Sequence, residues 1–213
     1  MTIVKRVKSH LELLYKANGV NAAEWKGDLD VASTLGFFFP KPAITIPQLI
    51  QWRQPSVGWF KLNSDGASRG NPGMAGGGGG DHSRLLGRLV LAFYDYLEEQ
   101  TNTYAELYAV ARGISLAKDV GCQHLWVEID ALAVIHIINN DNGEWRLQPQ
   151  IRRLKREMQI IFTHTYREAN RPGNFLANEA CRMKTSEVMT TVSGYLAGLV
   201  CLDSLLPAFR FKH

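Results

Sequence analysis

Leu62-Asn63-Ser64-Asp65-Gly66-Ala67-Ser68-Arg69-Gly70-Asn71-Pro72-Gly73 is the stretch on whose reading the fold turns. It continues Trp59-Phe60-Lys61, and across the join apolar Phe60 and Leu62 alternate with Lys61, Asn63 and Asp65. A period of two is that of a strand with one face buried, so a strand ending at Asp65 is expected. Asn71-Pro72-Gly73 has turn chemistry, with Pro at the second position and Gly at the third. The run Gly76–Gly80 beyond it offers backbone without side-chain bulk, and Leu85 to Tyr96 reads as one strand.

Further along, Leu107, Ala111, Ile114 and Ala117 recur at helical spacing, predicting a helix from Thr103 to about Lys118. Glu106, Ala109, Val110 and Gly113 form an adjoining stripe of mostly small residues, suited to lying close against a sheet. Leu125, Val127 and Ile129 mark one face of a second strand, with Trp126 and Glu128 on the other and Asp130 at its end. Helices are expected through Val134–Ile138 and from about Pro149, a last strand over Phe162–Tyr166, and a helix starting near Pro172. Such an order is a mixed α/β plan with at least one crossover, and sites in open sheets of this kind collect at strand ends.

Upstream, Val4, Val7, Leu11 and Leu14 predict a short amphipathic helix. Pro40, Pro42, Pro47 and Pro55 then mark an extended connector, with a boundary near Ser56. A chain of 213 residues, 46% of them hydrophobic, is long enough for one well-buried core with appendages. The net charge of +4 and pI near 9.0 permit an anionic partner without requiring one. Cys122, Cys181 and Cys201 are odd in number and lack paired spacing, which argues against a disulfide framework or a zinc site and for a reducing compartment. A soluble intracellular protein of nucleus or cytoplasm is expected, not secreted and not membrane-bound, monomeric, and with no protein partner indicated.

Three acids stand out. Each has a local explanation: Asp65-Gly66 as a turn dipeptide, Thr103-x-x-Glu106 as a capping box, Asp130 as the cap of the next helix. Jointly they place two carboxylates at strand ends and a third on a helix stripe facing the same sheet. Such a cage suits hard divalent cations, and two of these can clamp the attacking and leaving oxygens of a phosphodiester. Arg152, Arg153, Lys155 and Arg156 lie off the apolar stripe of their helix, just after Trp145. Contact with nucleic-acid phosphates and a solvated helix face are both open readings there.

Asp65-Gly-Ala with the following Gly70-Asn-Pro-Gly73, Asn102-Thr-Tyr-Ala-Glu106-Leu-Tyr-Ala109, Val127-Glu-Ile-Asp130-Ala131 and Tyr166-Arg-Glu-Ala-Asn170-Arg171 occur in that order. Together they resemble the type 1 ribonuclease H domain, above all the plant branch associated with retroelement reverse transcriptases. The resemblance runs from about Gly58 to Arg182. It divides the chain into residues 1–55, a ribonuclease H-like domain over 56–182 and a tail over 183–213, in which Tyr195–Asp203 also resembles that plant group.

The resemblance implies a mixed five-stranded sheet, three strands antiparallel and then parallel crossovers, flanked by α-helices. It implies cleavage of the RNA strand of an RNA–DNA hybrid with two Mg²⁺ ions, Mn²⁺ serving as a substitute. Asp65, Glu106 and Asp130 would be catalytic and metal-holding, with Asn174 at the position of the family's fourth acid. Ser68, Arg69, Gly70, Asn71 and Asn102 would meet the minor groove, where 2′-hydroxyls mark RNA, and Arg152, Arg153 and Arg156 the DNA phosphates. Two departures point to reduced activity, or to a retroelement-derived binding module in place of an enzyme. Asn174 is a neutral ligand, and the stretch after Gly80 goes directly to Asp81-His-Ser-Arg, so the second strand is expected to be shortened or absent.

Overall fold

The computed structural model describes residues 47–83, 88–140, 146–191 and 194–210, together with positions 5, 9, 12, 34 and 36. The chain divides into two compact units, Met1–Ile46 with Lys212–His213, and Pro47–Phe211. Lys5, Ser9 and Glu12 are helical; the rest of the expected first helix, Pro40, Pro42 and Trp145 lie outside the described residues.

Among the described residues, eight strands and five α-helices build the second unit. In chain order they are β1 Gln48–Ile50, β2 Phe60–Gly70, β3 Gly73–Ser83, β4 Arg88–Gln100, α1 Asn102–Asp119, β5 His124–Ile129, α2 Leu132–Asn139, α3 Gln148–Glu157, β6 Gln159–His164, α4 Arg171–Met183, β7 Glu187–Met189, α5 Gly194–Leu205 and β8 Ala208–Arg210. The main sheet has the order β6-β5-β2-β3-β4-β7, parallel from β6 to β2 and antiparallel from β2 to β7. Five of its strands have the expected plan; the tail supplies the sixth, β7. A separate two-stranded ribbon joins β1 to β8, so three residues of the Pro-rich connector are strand.

The second strand is neither short nor missing. β3 is 11 residues long and pairs with β2 along its whole length, through a two-residue connection at Asn71-Pro72. Glycine weakens a strand interior and is kept where another backbone comes close. A Cβ at Gly78 would lie 2.5 Å from the amide nitrogen of Ala177 on α4, and one at Gly76 would lie 2.5 Å from the Cβ of Ala180. On the opposite face a Cβ at Gly77 would reach Ala109 of α1 at 3.3 Å. The glycine run is thus a strand pressed between two helices.

Leu62, Phe93, Ile114, Leu125, Val127 and Ile129 are fully buried in the main core, between the sheet and α1, α2 and α3. A smaller cluster of Leu89, Ala92, Leu176 and Leu196 lies beneath α4 and α5. Lys61 is buried on the α4 face, with its Nζ 2.8 Å from Glu128 Oε2 and donating to the Arg53 carbonyl at 2.6 Å. The ammonium lies 4.4 Å and 4.2 Å from the ring centroids of Trp52 and Trp126, which fastens the segment before β2 onto the sheet. Burial pushes the Lys61 pKa down, and Glu128 opposes the shift. No helix among the described residues is long and apolar enough to cross a membrane.

Candidate active site

β2 outruns its parallel neighbour: the last β2–β5 pair is Ser64 with Ile129, and β2 continues to Gly70. Asp65 therefore lies mid-strand, at the step where β5 stops and not at the end of its own strand. Asp130 follows directly on β5. Glu106 comes from the second turn of α1, whose backbone meets β2 at Gly66, where a Cβ would lie 2.2 Å from the amide nitrogen of Glu106. Only glycine admits that approach. Asp65-Gly66 is thus no turn dipeptide but the contact that carries Glu106 to Asp65.

The other local explanations for the acids fail as well. The N-cap of α1 is Thr101, whose hydroxyl accepts from the Tyr104 amide at 3.2 Å, so Glu106 is not half of a capping box. Ala131 occupies the N-cap of α2 and no side chain caps it, so Asp130 does not cap that helix. Carboxylate oxygens of Asp65, Glu106 and Asp130 converge within 4.8 Å of one another. Asp65 is 3% exposed and Glu106 4%, and Asp65 Oδ2 and Glu106 Oε2 are buried without a hydrogen-bond partner. Asp65 Oδ1 accepts from the Gly66 amide at 2.9 Å.

Burial raises the pKa of all three acids; the charge of Asp130 adds to the rise at Asp65, and the charges of Asp65 and Asp130 add to that at Glu106. The Arg167 guanidinium opposes the shift at Asp65 and Asp130. Orphaned acidic oxygens aimed at one point fit a divalent cation, which would offset both desolvation and mutual repulsion.

Asn174, in the first turn of α4, is already engaged. Its Oδ1 accepts from Arg167 Nη2 at 2.5 Å and from Asn178 Nδ2 at 3.2 Å. The oxygen that would act as fourth ligand is held by a cation of the chain itself. Neighbouring Asn170 is fully buried and donates from Nδ2 to the Ser64 carbonyl at 2.9 Å, clamping α4 against β2 beside Asp65.

Ser68, Arg69, Gly70 and Asn71 form the β2–β3 corner, and Asn102 opens α1 next to it. The Asn102 amide donates to Asn71 Oδ1 at 3.0 Å, and the Ser68 hydroxyl lies 2.8 Å from the Gln100 carbonyl oxygen. The structure therefore brings these five together. On α3, Arg153 and Arg156 are exposed and Arg152 is half-buried; Arg153 pairs with Glu157 at 3.8 Å. None of the three lines the cleft beside the acids.

That cleft, of about 460 Å³, is lined by Glu106, Asp130, Ala131, Leu132, His164, Thr165, Tyr166, Arg167 and Arg210. His164 ends β6 in register with Ile129, one residue before Asp130, which the strand pattern allowed but did not single out. Arg167 stands in the Tyr166–Arg171 motif, though the resemblance assigns it no role, and Arg210 carried no sequence signal. The first sits on the 3₁₀ turn Arg167–Ala169, and the second arrives on β8.

Residues 63–180 match the family described as reverse transcriptase-like. An Arabidopsis thaliana protein named as a ribonuclease H is 31% identical over 140 residues, which are 63% of this chain and 22% of that relative. The chain thus spans about a fifth of the relative's length. Ribonuclease H1 of the archaeon Halobacterium salinarum superposes with a TM-score of 0.54 at 28% identity, over 59% of this chain and 98% of the archaeal one. The LC11 ribonuclease H1, solved in complex with an RNA/DNA hybrid, gives 0.53 at 26% identity, over 59% and 98% of the two chains. The sheet is that of a type 1 ribonuclease H domain, and the chain belongs to the reverse transcriptase-like family.

Proposed function

We propose that the domain hydrolyses the RNA strand of RNA–DNA hybrids with two divalent ions, Mg²⁺ or Mn²⁺. The observation that carries this reading is the convergence of three carboxylates within 4.8 Å, two of them bearing buried, unpartnered oxygens. Asp65, Glu106 and Asp130 would hold the ions. Divalent ions held there would supply positive charge to offset the negative charge that develops as the phosphodiester is hydrolysed. The chain's own residues fix the geometry: Gly66 admits α1 to β2, Asn170 holds α4 beside Asp65, and Arg167 supplies a fixed positive charge next to the carboxylates. Hybrid-specific contacts are assigned to Ser68–Asn71 with Asn102, and DNA-strand phosphates to Arg152, Arg153 and Arg156.

Purified protein with Mg²⁺ or Mn²⁺ should nick an RNA–DNA hybrid and spare duplex DNA. Cleavage no greater than that of Asp130→Asn would refute the enzymatic reading. One observation favours a second reading, a hybrid-binding module with weak turnover: Asn174 Oδ1 is committed to Arg167. Salt-dependent hybrid binding without cleavage in either metal would establish that reading.

A further inference from the structure

We infer that Arg210, carried on a strand outside the family-matched residues, grips a backbone phosphate of the strand that lies at the carboxylates. This inference rests on the hybrid reading above. Arg210 lines the same cleft as Glu106 and Asp130, so a strand seated on the acids passes within its reach. Its position is built. β8 pairs with β1, Gln48 facing Arg210, and Ala208 packs with Ile50 and Ala169 in a small buried cluster against Tyr166. The guanidinium lies over the Tyr166 ring at 4.4 Å, which fixes its plane.

Its partner inside the protein is Glu168, with Nη1 3.4 Å from Oε2. Both side chains are about two-fifths to one-third exposed, at 41% and 35%, and an exposed pair of that length is weak. A phosphate accepts two parallel guanidinium hydrogen bonds and competes well for such a group. The stacked ring keeps the fork oriented during the exchange. Arg167 and His164 line the same cleft, so acidic and basic side chains share its lining. A strand whose reacting phosphodiester faces the acids carries a negative charge at each neighbouring phosphate, which such a cation can offset.

Arg210→Gln and Glu168→Gln separate this role from a structural one, because both break the same ion pair. A purely structural pair predicts that neither change tightens binding. Phosphate contact predicts opposite effects. Binding of a fluorescent RNA–DNA hybrid in Ca²⁺ is read by anisotropy across a salt series on the 213-residue chain. Arg210→Gln should weaken binding about five- to tenfold and flatten the log–log salt slope by about 0.9. Glu168→Gln should tighten binding, and Arg210→Lys should keep the salt slope. Wild-type binding that Arg210→Gln leaves unchanged, or weakening by both neutral variants alike, overturns this inference alone. Absence of hybrid binding by the wild-type chain overturns the hybrid reading and this inference with it.

Discussion

Replacing Asp81 by leucine should stabilise the protein, by an amount that grows with pH. Asp81 stands on β3 between Leu62 of β2 and Leu91 of β4, fully buried, and neither carboxylate oxygen has a hydrogen-bond partner. Burial drives its pKa well above 3.8, and its charge adds to the burial that pushes the Cys122 thiol up to about 12. Removing a buried unsatisfied polar group is worth about 1–3 kcal/mol, even for the neutral acid. A raised folded-state pKa means that the fold binds the proton more tightly than the unfolded chain does. Stability is therefore full below the unfolded pKa and falls as pH rises toward the folded one. Across that window the advantage of Asp81→Leu should widen by about 1.4 kcal/mol per pH unit. Urea unfolding at pH 4, 5 and 6, followed by fluorescence of the five tryptophans, measures both parts. At pH 5 the gain corresponds to roughly 5–10 °C in Tm. A variant no more stable than the wild type, or an advantage constant across pH, would refute the reasoning.

Asn174→Asp, which supplies a charged fourth ligand, should raise hybrid cleavage in Mg²⁺ about tenfold; an unchanged rate would place the defect elsewhere. Mn²⁺ at about one hundred times its Kd should stabilise the wild type by about 2.7 kcal/mol, visible by calorimetry, and Asp65→Asn should lose that gain; an equal gain in both would put the ion elsewhere. Gly66→Ala should cost about 3 kcal/mol or more, because its Cβ would meet backbone atoms of Glu106 at 2.2 Å, and normal stability would mean that α1 can give way. Lys61→Met should cost about 3–5 kcal/mol by leaving Glu128 buried and unpaired. Lys61→Met with Glu128→Leu should recover most of that cost in denaturant titrations, and a double variant as weak as the single would reject this account.

The acids were legible because each lies on a regular period. Phe60/Leu62 against Lys61/Asn63/Asp65 is a half-buried strand, and the small-residue stripe through Glu106 marks a helix that can approach a sheet. β3 was illegible for the converse reason: five glycines carry no alternation, and only the helices on both sides show why bulk is excluded there. Asp65 looked like a strand end because Asp-Gly is turn chemistry, whereas the pairing with β3 continues through both residues. The cleft wall was legible only in part, since His164 follows the strand period and Arg167 belongs to the Tyr166–Arg171 motif. Arg167 acts through a 3₁₀ turn and Arg210 through a strand paired with a segment 162 positions earlier, and neither local pattern encodes the contact.

The β1–β8 ribbon has a consequence for how the fold can be used. Gln48 and Arg210 lie side by side in register, so the unit's two ends leave from one point on its surface. A unit with adjacent ends can be inserted into a surface loop of a host protein without being pulled apart. The clasp that closes the unit is the same strand that brings Arg210 to the cleft.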